Sequence, residues 1–250
     1  MAMRILDGAI GTELISRGLE LEAPDWSARA IAQAPDLLTQ IHTDYARAGA
    51  TLHTANTFRT QPQAMGAAWT SALGAGVQIA RDAVPSGCVV LGSMAPIEDC
   101  YRPDRSPGAA ARPQHRAVAS ALANAGCDVL LCDSPTELAR IAKDAASTGV
   151  ERLLVNCIAA TQIGPYVDAI SALGVPLGVY ANAGREDEAL GWGATSPRAA
   201  EAYAVLAERW RDAGASVIGG CCGTGPQMAC GANARAGLRG LHRREAARRS

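Results

Sequence analysis

The stretch Gly214-Ala215-Ser216-Val217-Ile218-Gly219-Gly220-Cys221-Cys222-Gly223-Thr224 carries the plan of the whole chain. A glycine closes a helical segment, a short apolar run follows, and reactive side chains come where that run breaks. The same order recurs: Gly49, Gly126, Gly149 and Gly174 each stand between an Ala-rich segment of helical period and a short apolar run. These runs read as strands at Arg4–Leu6, Thr51–Thr54, Cys88–Leu91, Val129–Cys132, Arg152–Val155, Leu177–Tyr180 and Ser216–Ile218. Helices are expected over Asp36–Ala48, Gln63–Ala83, Pro113–Ala125, Thr136–Thr148, Tyr166–Leu173 and Pro197–Ala213. Pro35, Pro113 and Pro197 stand where such helices begin. Strand and helix alternate, so the expected class is α/β with a parallel sheet, in the rhythm of a TIM-type (β/α) barrel with seven recognisable strands.

Polar or reactive residues follow the apolar runs: Asp7-Gly8, Asn56-Thr57, Gly92-Ser93, Asp133-Ser134, Asn156-Cys157, Asn182 and Cys221-Cys222. In a barrel these positions ring one face, the C-terminal ends of the strands, where barrel enzymes keep their chemistry. Strand ends are polar in general, which accounts for single cases. It does not account for thiols at two separate strand ends.

Composition narrows the classes further. Hydrophobic residues make up 48% of the 250 and charged residues 19%, enough for a substantial core in one domain over residues 1–250. The single Phe leaves that core to Ala, Leu, Val and Ile. A formal net charge of −1 gives no general attraction to nucleic acid or anionic membrane. The basic tail, about 239–250, reads as a solvated end. No secretory leader and no run of about eighteen apolar residues is seen. Eight cysteines in such a chain read as thiols or metal ligands in a reducing compartment, the cytoplasm. A dinucleotide oxidoreductase is excluded, because Gly8-Ala9-Ile10-Gly11 lacks the Gly-x-Gly-x-x-Gly spacing.

Neighbouring residues of a regular strand point to opposite faces, so Cys221 and Cys222 can share an ion only where the strand has broken. The glycines between Gly219 and Gly225 give that freedom. With Cys157 from another strand end, three thiolates can converge and leave a fourth position open, the pattern of a catalytic zinc site. Zinc deprotonates a bound thiol, and an electron-rich thiolate is suited to attack on carbon. Cys88, Cys127 and Cys132 read as small buried hydrophobes. Cys100 and Cys230 stand in loop-like contexts, and Cys230 is the rival ligand, eight residues beyond Cys222.

Several ordered motifs resemble the homocysteine S-methyltransferase family over roughly residues 4–226. They run from Ile5-Leu6-Asp7-Gly8-Ala9-Ile10-Gly11-Thr12-Glu13-Leu14 and Trp26-Ser27 through Ile41-His42-Thr43-Asp44-Tyr45, Ala48-Gly49-Ala50 and Ala55-Asn56-Thr57-Phe58. They continue in Gly92-Ser93-Met94-Ala95-Pro96, Val155-Asn156-Cys157 and Tyr180-Ala181-Asn182-Ala183-Gly184, and end on Gly219-Gly220-Cys221-Cys222-Gly223-Thr224. The resemblance implies a (β/α)₈-type barrel with zinc held by Cys157, Cys221 and Cys222. It implies that Asp7 and Gly8 hold the amino-acid head of homocysteine, with Asn56 and Thr57 near the same pocket. His42 and Tyr45, one helical turn apart, read as stabilising residues, and His53 and His115 offer no metal spacing.

Three departures from the family stand out. Asp133-Ser134 replaces the usual Glu-Thr, a carboxylate one methylene shorter at a substrate-binding position. Only 23 residues separate Asp133 from Cys157, room for one helix and one strand, so the barrel is expected to lack its fifth strand–helix unit. Gly231, Gly237 and Gly240 predict a weak closing helix. The function implied is zinc-dependent methyl transfer from S-methylmethionine or S-adenosylmethionine to homocysteine, with small molecules as the only partners. The alternatives are an acceptor half that takes its methyl from betaine or a corrinoid, and a relative that binds zinc or thiols without turnover.

Overall fold

Four helices among the described residues start on proline, at Pro35, Pro62, Pro197 and Pro226, and glycine follows several helix ends. The computed structural model describes residues 3–98, 103–105, 107–131, 153–172, 174, 176–184, 190 and 197–235. Along them run β1 (Arg4–Ile5), α1 (Ile10–Ser16), α2 (Ala30–Gln33), α3 (Pro35–Arg47), β2 (Leu52–Thr54), α4 (Pro62–Met65), α5 (Trp69–Ala83) and β3 (Val89–Met94). They are followed by α6 (Arg112–Asn124), β4 (Asp128–Leu131), β5 (Leu153–Ala159), α7 (Gly164–Ser171), β6 (Leu177–Asn182), α8 (Pro197–Asp212), β7 (Ala215–Gly220) and α9 (Pro226–Arg235). Seven strands thus stand, among the described residues, at the seven places the sequence marks. The helix expected over Thr136–Thr148, the residue Asp133 and the tail 239–250 lie outside the described residues.

Two helix ends show why glycine precedes the strands. Gly49 follows α3 at φ +101° and Gly126 follows α6 at φ +81°, in the left-handed region. Ala50 N–H reaches Tyr45 O and Cys127 N–H reaches Leu122 O, each at 3.0 Å, so both ends are Schellman motifs that free the next residue to begin a strand.

The chain divides into two compact units. The first takes in Met1–Ala9, Asp44–Thr51 and Glu137–Ser250 and holds a parallel sheet in the order β1-β7-β6-β5. On α8, small buried residues (Ala199, Ala204, Ala207) alternate with the large Tyr203 and Trp210. Gly231 of α9 sits where a Cβ would come within 3.0 Å of Ala200 O, so the glycine expected to weaken this helix is what lets it close on α8.

The second unit takes in Ile10–Thr43 and Leu52–Thr136 and holds the parallel sheet β2-β3-β4. Its core joins Leu73, Val77 and Ala80 of α5 to Val90 and Met94 of β3 and to Val118 and Leu122 of α6. Cys127 is buried in that core, as a small hydrophobe would be.

Two expectations are corrected. The helix predicted over Gln63–Ala83 is two, α4 and α5, because Gly66 takes φ +56° and the next turn tightens to a 3₁₀ helix at Gly66–Ala68. The short helices α1 and α2 were not anticipated, since four to seven residues show no readable period.

Candidate metal centre

Cys157 lies on β5 at an irregularity. Asn156 pairs with Tyr180 and Ala159 with Asn182, so two residues of β5 face one of β6, a β-bulge. Cys157 takes φ +57°, a left-handed conformation that costs an L-residue other than glycine roughly 1–2 kcal/mol. Asn182 holds it there: its Nδ2 donates to Cys157 O at 2.9 Å, and its Oδ1 accepts the Gly184 N–H at 2.9 Å. A strained residue fixed by its surroundings is a mark of function.

Cys221 and Cys222 leave β7 in a tight turn. Thr224 closes it, donating its N–H (3.1 Å) and its hydroxyl (2.5 Å) to Cys221 O. Gly223, at φ +77°, is the third residue of that turn, where a positive φ calls for glycine. The turn is stitched to the end of β6, with Cys221 N–H on Ala181 O at 2.7 Å and Ala183 N–H on Cys222 O at 2.9 Å. A Cβ at Gly219 would stand 2.8 Å from the backbone oxygens of Leu6 and Asp7, and one at Gly220 would strike the Thr224 side chain.

The three sulfurs converge. Cys222 Sγ lies 3.7 Å from Cys221 Sγ and 3.9 Å from Cys157 Sγ, and all three fall within 4.8 Å of one another. A disulfide would bring two of them to about 2.05 Å, and all three are free. A tetrahedral zinc with Zn–S bonds of about 2.3 Å sets its sulfurs about 3.8 Å apart, so the donor set fits that ion. Cys230 is not part of the group.

The thiols of Cys221 and Cys222 hold the pKa of Cys157 down to about 3, with a smaller contribution from Asn182 and with burial opposing. Cys222 is pushed up to about 12, chiefly by Cys157. Cys221 is raised too, by its two neighbours and by its own burial. The cluster therefore accepts one negative charge readily and resists a second and third, which a cation would neutralise.

Around the cluster, tyrosine hydroxyls hold backbone carbonyls. Tyr203 donates to Gly219 O at 2.6 Å, Tyr180 to Gly8 O at 3.2 Å and Tyr45 to Thr224 O at 3.3 Å. Burial raises the Tyr203 pKa, so the phenol stays a donor. Asp7 is buried, and its carbonyl accepts the Gly220 N–H at 3.0 Å. A side chain at Gly8 would collide with the Tyr45 ring.

Asn56 and Thr57 belong to the second unit and are buried. Asn56 Nδ2 donates to Ser27 O at 2.7 Å. Thr57 Oγ1 donates to Ser93 O at 2.9 Å and accepts the Ser93 N–H at 2.8 Å. In the same unit the rings of His42 and His53 meet edge to face at 6.2 Å, and burial, then the neighbouring ring, lowers the His42 pKa to about 3. The sequence placed Asn182 on the reactive face without a role, and assigned none to Tyr180 or Tyr203. The available signal was five tyrosines beside a single phenylalanine, a choice of hydroxyl-bearing rings over plain ones.

The family model for homocysteine S-methyltransferase matches residues 4–142 and 133–229. The chain belongs to the homocysteine S-methyltransferase family. The homocysteine S-methyltransferase of Escherichia coli strain K12 is 30% identical over 285 aligned positions that take in 89% of this chain and 91% of that protein. Homocysteine S-methyltransferase YbgG of Bacillus subtilis strain 168 is 25% identical over 289 positions, with 89% and 91% covered. The crystal structure of the homocysteine methyltransferase MmuM from Escherichia coli in its metallated form superposes with a TM-score of 0.75 at 26% identity, covering 94% of this chain and 96% of that one. An alignment of 285 positions exceeds the 250 residues of this chain, so that family member carries segments this one lacks. The two matched pieces meet and overlap at 133–142, in the short interval ahead of Cys157.

Proposed function

We propose that this chain transfers a methyl group from a sulfonium donor, S-methylmethionine or S-adenosylmethionine, to the thiol of homocysteine, giving methionine. One observation carries the reading: three reduced thiols stand at ligand spacing on the ends of β5 and β7, the two strands that flank β6, with Cys157 exposed and Cys221 buried. Bound zinc supplies the positive charge that lets a thiol shed its proton at neutral pH. Cys157, Cys221 and Cys222 would hold it and leave one position of four for the acceptor.

The negative charge of three thiolates keeps the acceptor sulfur electron-rich and favours a cationic donor. In the transfer, the acceptor sulfur forms a bond to the methyl carbon while the donor's sulfur–methyl bond breaks. The electron pair stays on the donor sulfur, which leaves as a neutral thioether. No side chain has to carry a proton in that step. The Asp7 carboxylate suits the ammonium group of homocysteine, Gly8 allows close backbone approach, and Asp133 would add a second carboxylate. Asn56 and Thr57, whose side chains are bonded to backbone, would form pocket wall.

The family membership supports homocysteine as acceptor, and the domain that goes with it is a (β/α) barrel lacking its fifth strand–helix unit. No helix among the described residues is long and apolar enough to cross a membrane. A second reading, a relative that binds zinc or thiols without turnover, is favoured by the aligned segments this chain lacks and by Asp133 in place of Glu.

The deciding experiment measures zinc per chain after purification under reducing conditions, then methionine formation from homocysteine with each sulfonium donor. About one zinc per chain that the Cys157/Cys221/Cys222→Ser triple variant lacks, together with turnover on one donor, is the expected result. Zinc without turnover on either donor leaves the second reading. A well-folded wild type without zinc sinks the zinc-dependent one.

A further inference from the structure

The two arms of the thiol cluster are carried by β5, whose Cys157 is tied to the end of β6, and by β7. β6 ends in Ala181-Asn182, and Asn182 holds the carbonyl of Cys157. β7 ends in Gly219-Gly220, and the Cys221–Thr224 turn follows. The spacing of the three sulfurs therefore depends on how those two ends are fixed to each other.

β7 is poorly equipped to fix its own end. Gly219 and Gly220 are required there by space, since a Cβ at either would meet Leu6 and Asp7 or Thr224. Glycines also leave the backbone its greatest freedom. Backbone bonds to β6 fix part of that end, Cys221 N–H on Ala181 O and Ala183 N–H on Cys222 O, and a further restraint comes from outside the sheet. Tyr203 of α8 is buried, and its hydroxyl lies 2.6 Å from Gly219 O and 3.3 Å from Ala181 O, one carbonyl from each strand end. Its ring is held in turn by Trp210 on the same helix, edge to face at 5.4 Å and 82°. If packing alone were wanted, phenylalanine would fill the space without burying a hydroxyl.

We propose that Tyr203 is a positioning residue of the metal centre: its hydroxyl clamps the carbonyls of Gly219 and Ala181 and so sets the distance between the Cys221–Cys222 turn and Cys157. The proposal rests on the zinc reading for its consequence and on the hydrogen bonds for its cause, and the two are tested separately. Tyr203 acts through the strand ends, by its contacts with Gly219 O and Ala181 O.

The test is Tyr203→Phe in the full chain, which keeps the ring and removes only the hydroxyl, beside Trp210→Phe, which trims the stacking partner and keeps the hydroxyl. In reduced, metal-free protein, amide hydrogen exchange in the peptide spanning 219–224 should quicken about tenfold in Tyr203→Phe, with peptides from β5 and α9 unchanged. Trp210→Phe should leave 219–224 nearly as in the wild type. With zinc, chelator competition should show affinity about 10- to 100-fold weaker in Tyr203→Phe, the range for loss of a residue that orients a ligand. The visible absorption of the cobalt(II)-substituted variant should shift, because those bands report the arrangement of the thiolates.

Exchange at 219–224 within twofold of wild type overturns the proposal, as does faster exchange with zinc affinity and cobalt bands unchanged. Equal loosening by Tyr203→Phe and Trp210→Phe also overturns it, leaving Tyr203 a packing residue. If the wild type holds no zinc, the reading of the function fails on that result alone. The exchange comparison in metal-free protein then still decides whether the hydroxyl fixes the turn.

Discussion

The two arms of the thiol cluster reach the same place by opposite means. Cys221 and Cys222 sit in a turn built on glycine, with Gly223 taking the positive φ and Thr224 closing the hydrogen bonds. Cys157 takes the positive φ itself, on a bulge within β5, and Asn182 holds it there. One arm obtains its geometry from residues that tolerate it. The other imposes it on a residue that does not, and the exposed cysteine is the strained one. The lesson is that the glycine arm is fixed by hydrogen bonds within its turn and to β6, and the exposed arm chiefly by the side chain of Asn182.

The largest effect expected follows from that contrast. Cys157→Ser and Cys222→Ser should each weaken zinc binding by more than about 100-fold, beyond the range for a residue that only orients a ligand. Metal content and methionine formation measured on the same preparations check this. If Cys157→Ser keeps its zinc while Cys222→Ser loses it, the exposed arm is not a ligand arm and the comparison collapses.

A smaller effect separates the supports from the ligands. Asn182→Ala removes the donor on Cys157 O and should cost about 10- to 100-fold in zinc affinity. Thr224→Val keeps the shape, removes one of two hydrogen bonds to Cys221 O and leaves the Thr224 N–H in place, so the loss should be under about tenfold. Chelator competition on both variants gives the ratio. A greater loss in Thr224→Val would mean that the glycine turn, and not the bulge, is the arm with little support.

The contrast also explains what could be read from the sequence. Gly219-Gly220-Cys221-Cys222-Gly223-Thr224 announces a broken strand, because glycine is the residue that left-handed and crowded positions require. Nothing in Val155-Asn156-Cys157-Ile158 announces a bulge: the apolar run reads as ending at Val155, whereas the strand continues through Cys157 to Ala159. Cys157 could be joined to the pair by its place at a strand end, a consequence of the α/β rhythm, and by the family motif Val155-Asn156-Cys157. The seven strands were legible for the same reason, each being bounded by helix-ending glycine or by polar residues. The break at Gly66 was not, because one glycine within a helical pattern is often tolerated. The clamp of Tyr203 was not either: a tyrosine among buried alanines on a helix reads as core until its hydroxyl is seen to meet two carbonyls.

Strain at Cys157 gives the smallest effect and the sharpest test. If φ +57° costs an L-residue roughly 1–2 kcal/mol, glycine at this position removes most of that penalty in the folded state. Glycine also gains freedom in the unfolded chain, which takes back about 0.5–1 kcal/mol. Cys157 is exposed, so little packing is lost with its side chain. The balance is a metal-free Cys157→Gly protein more stable than wild type by up to about 1 kcal/mol, while its zinc site is gone. Cys221→Gly has no such strain to release and gives up a buried side chain, so it should destabilise the metal-free protein. Urea unfolding of both variants under reducing, chelating conditions measures the difference. Opposite signs would show that this protein trades stability for the position of one thiol. A loss of stability in both would mean that the bulge holds Cys157 without strain, and the two arms would then differ only in exposure.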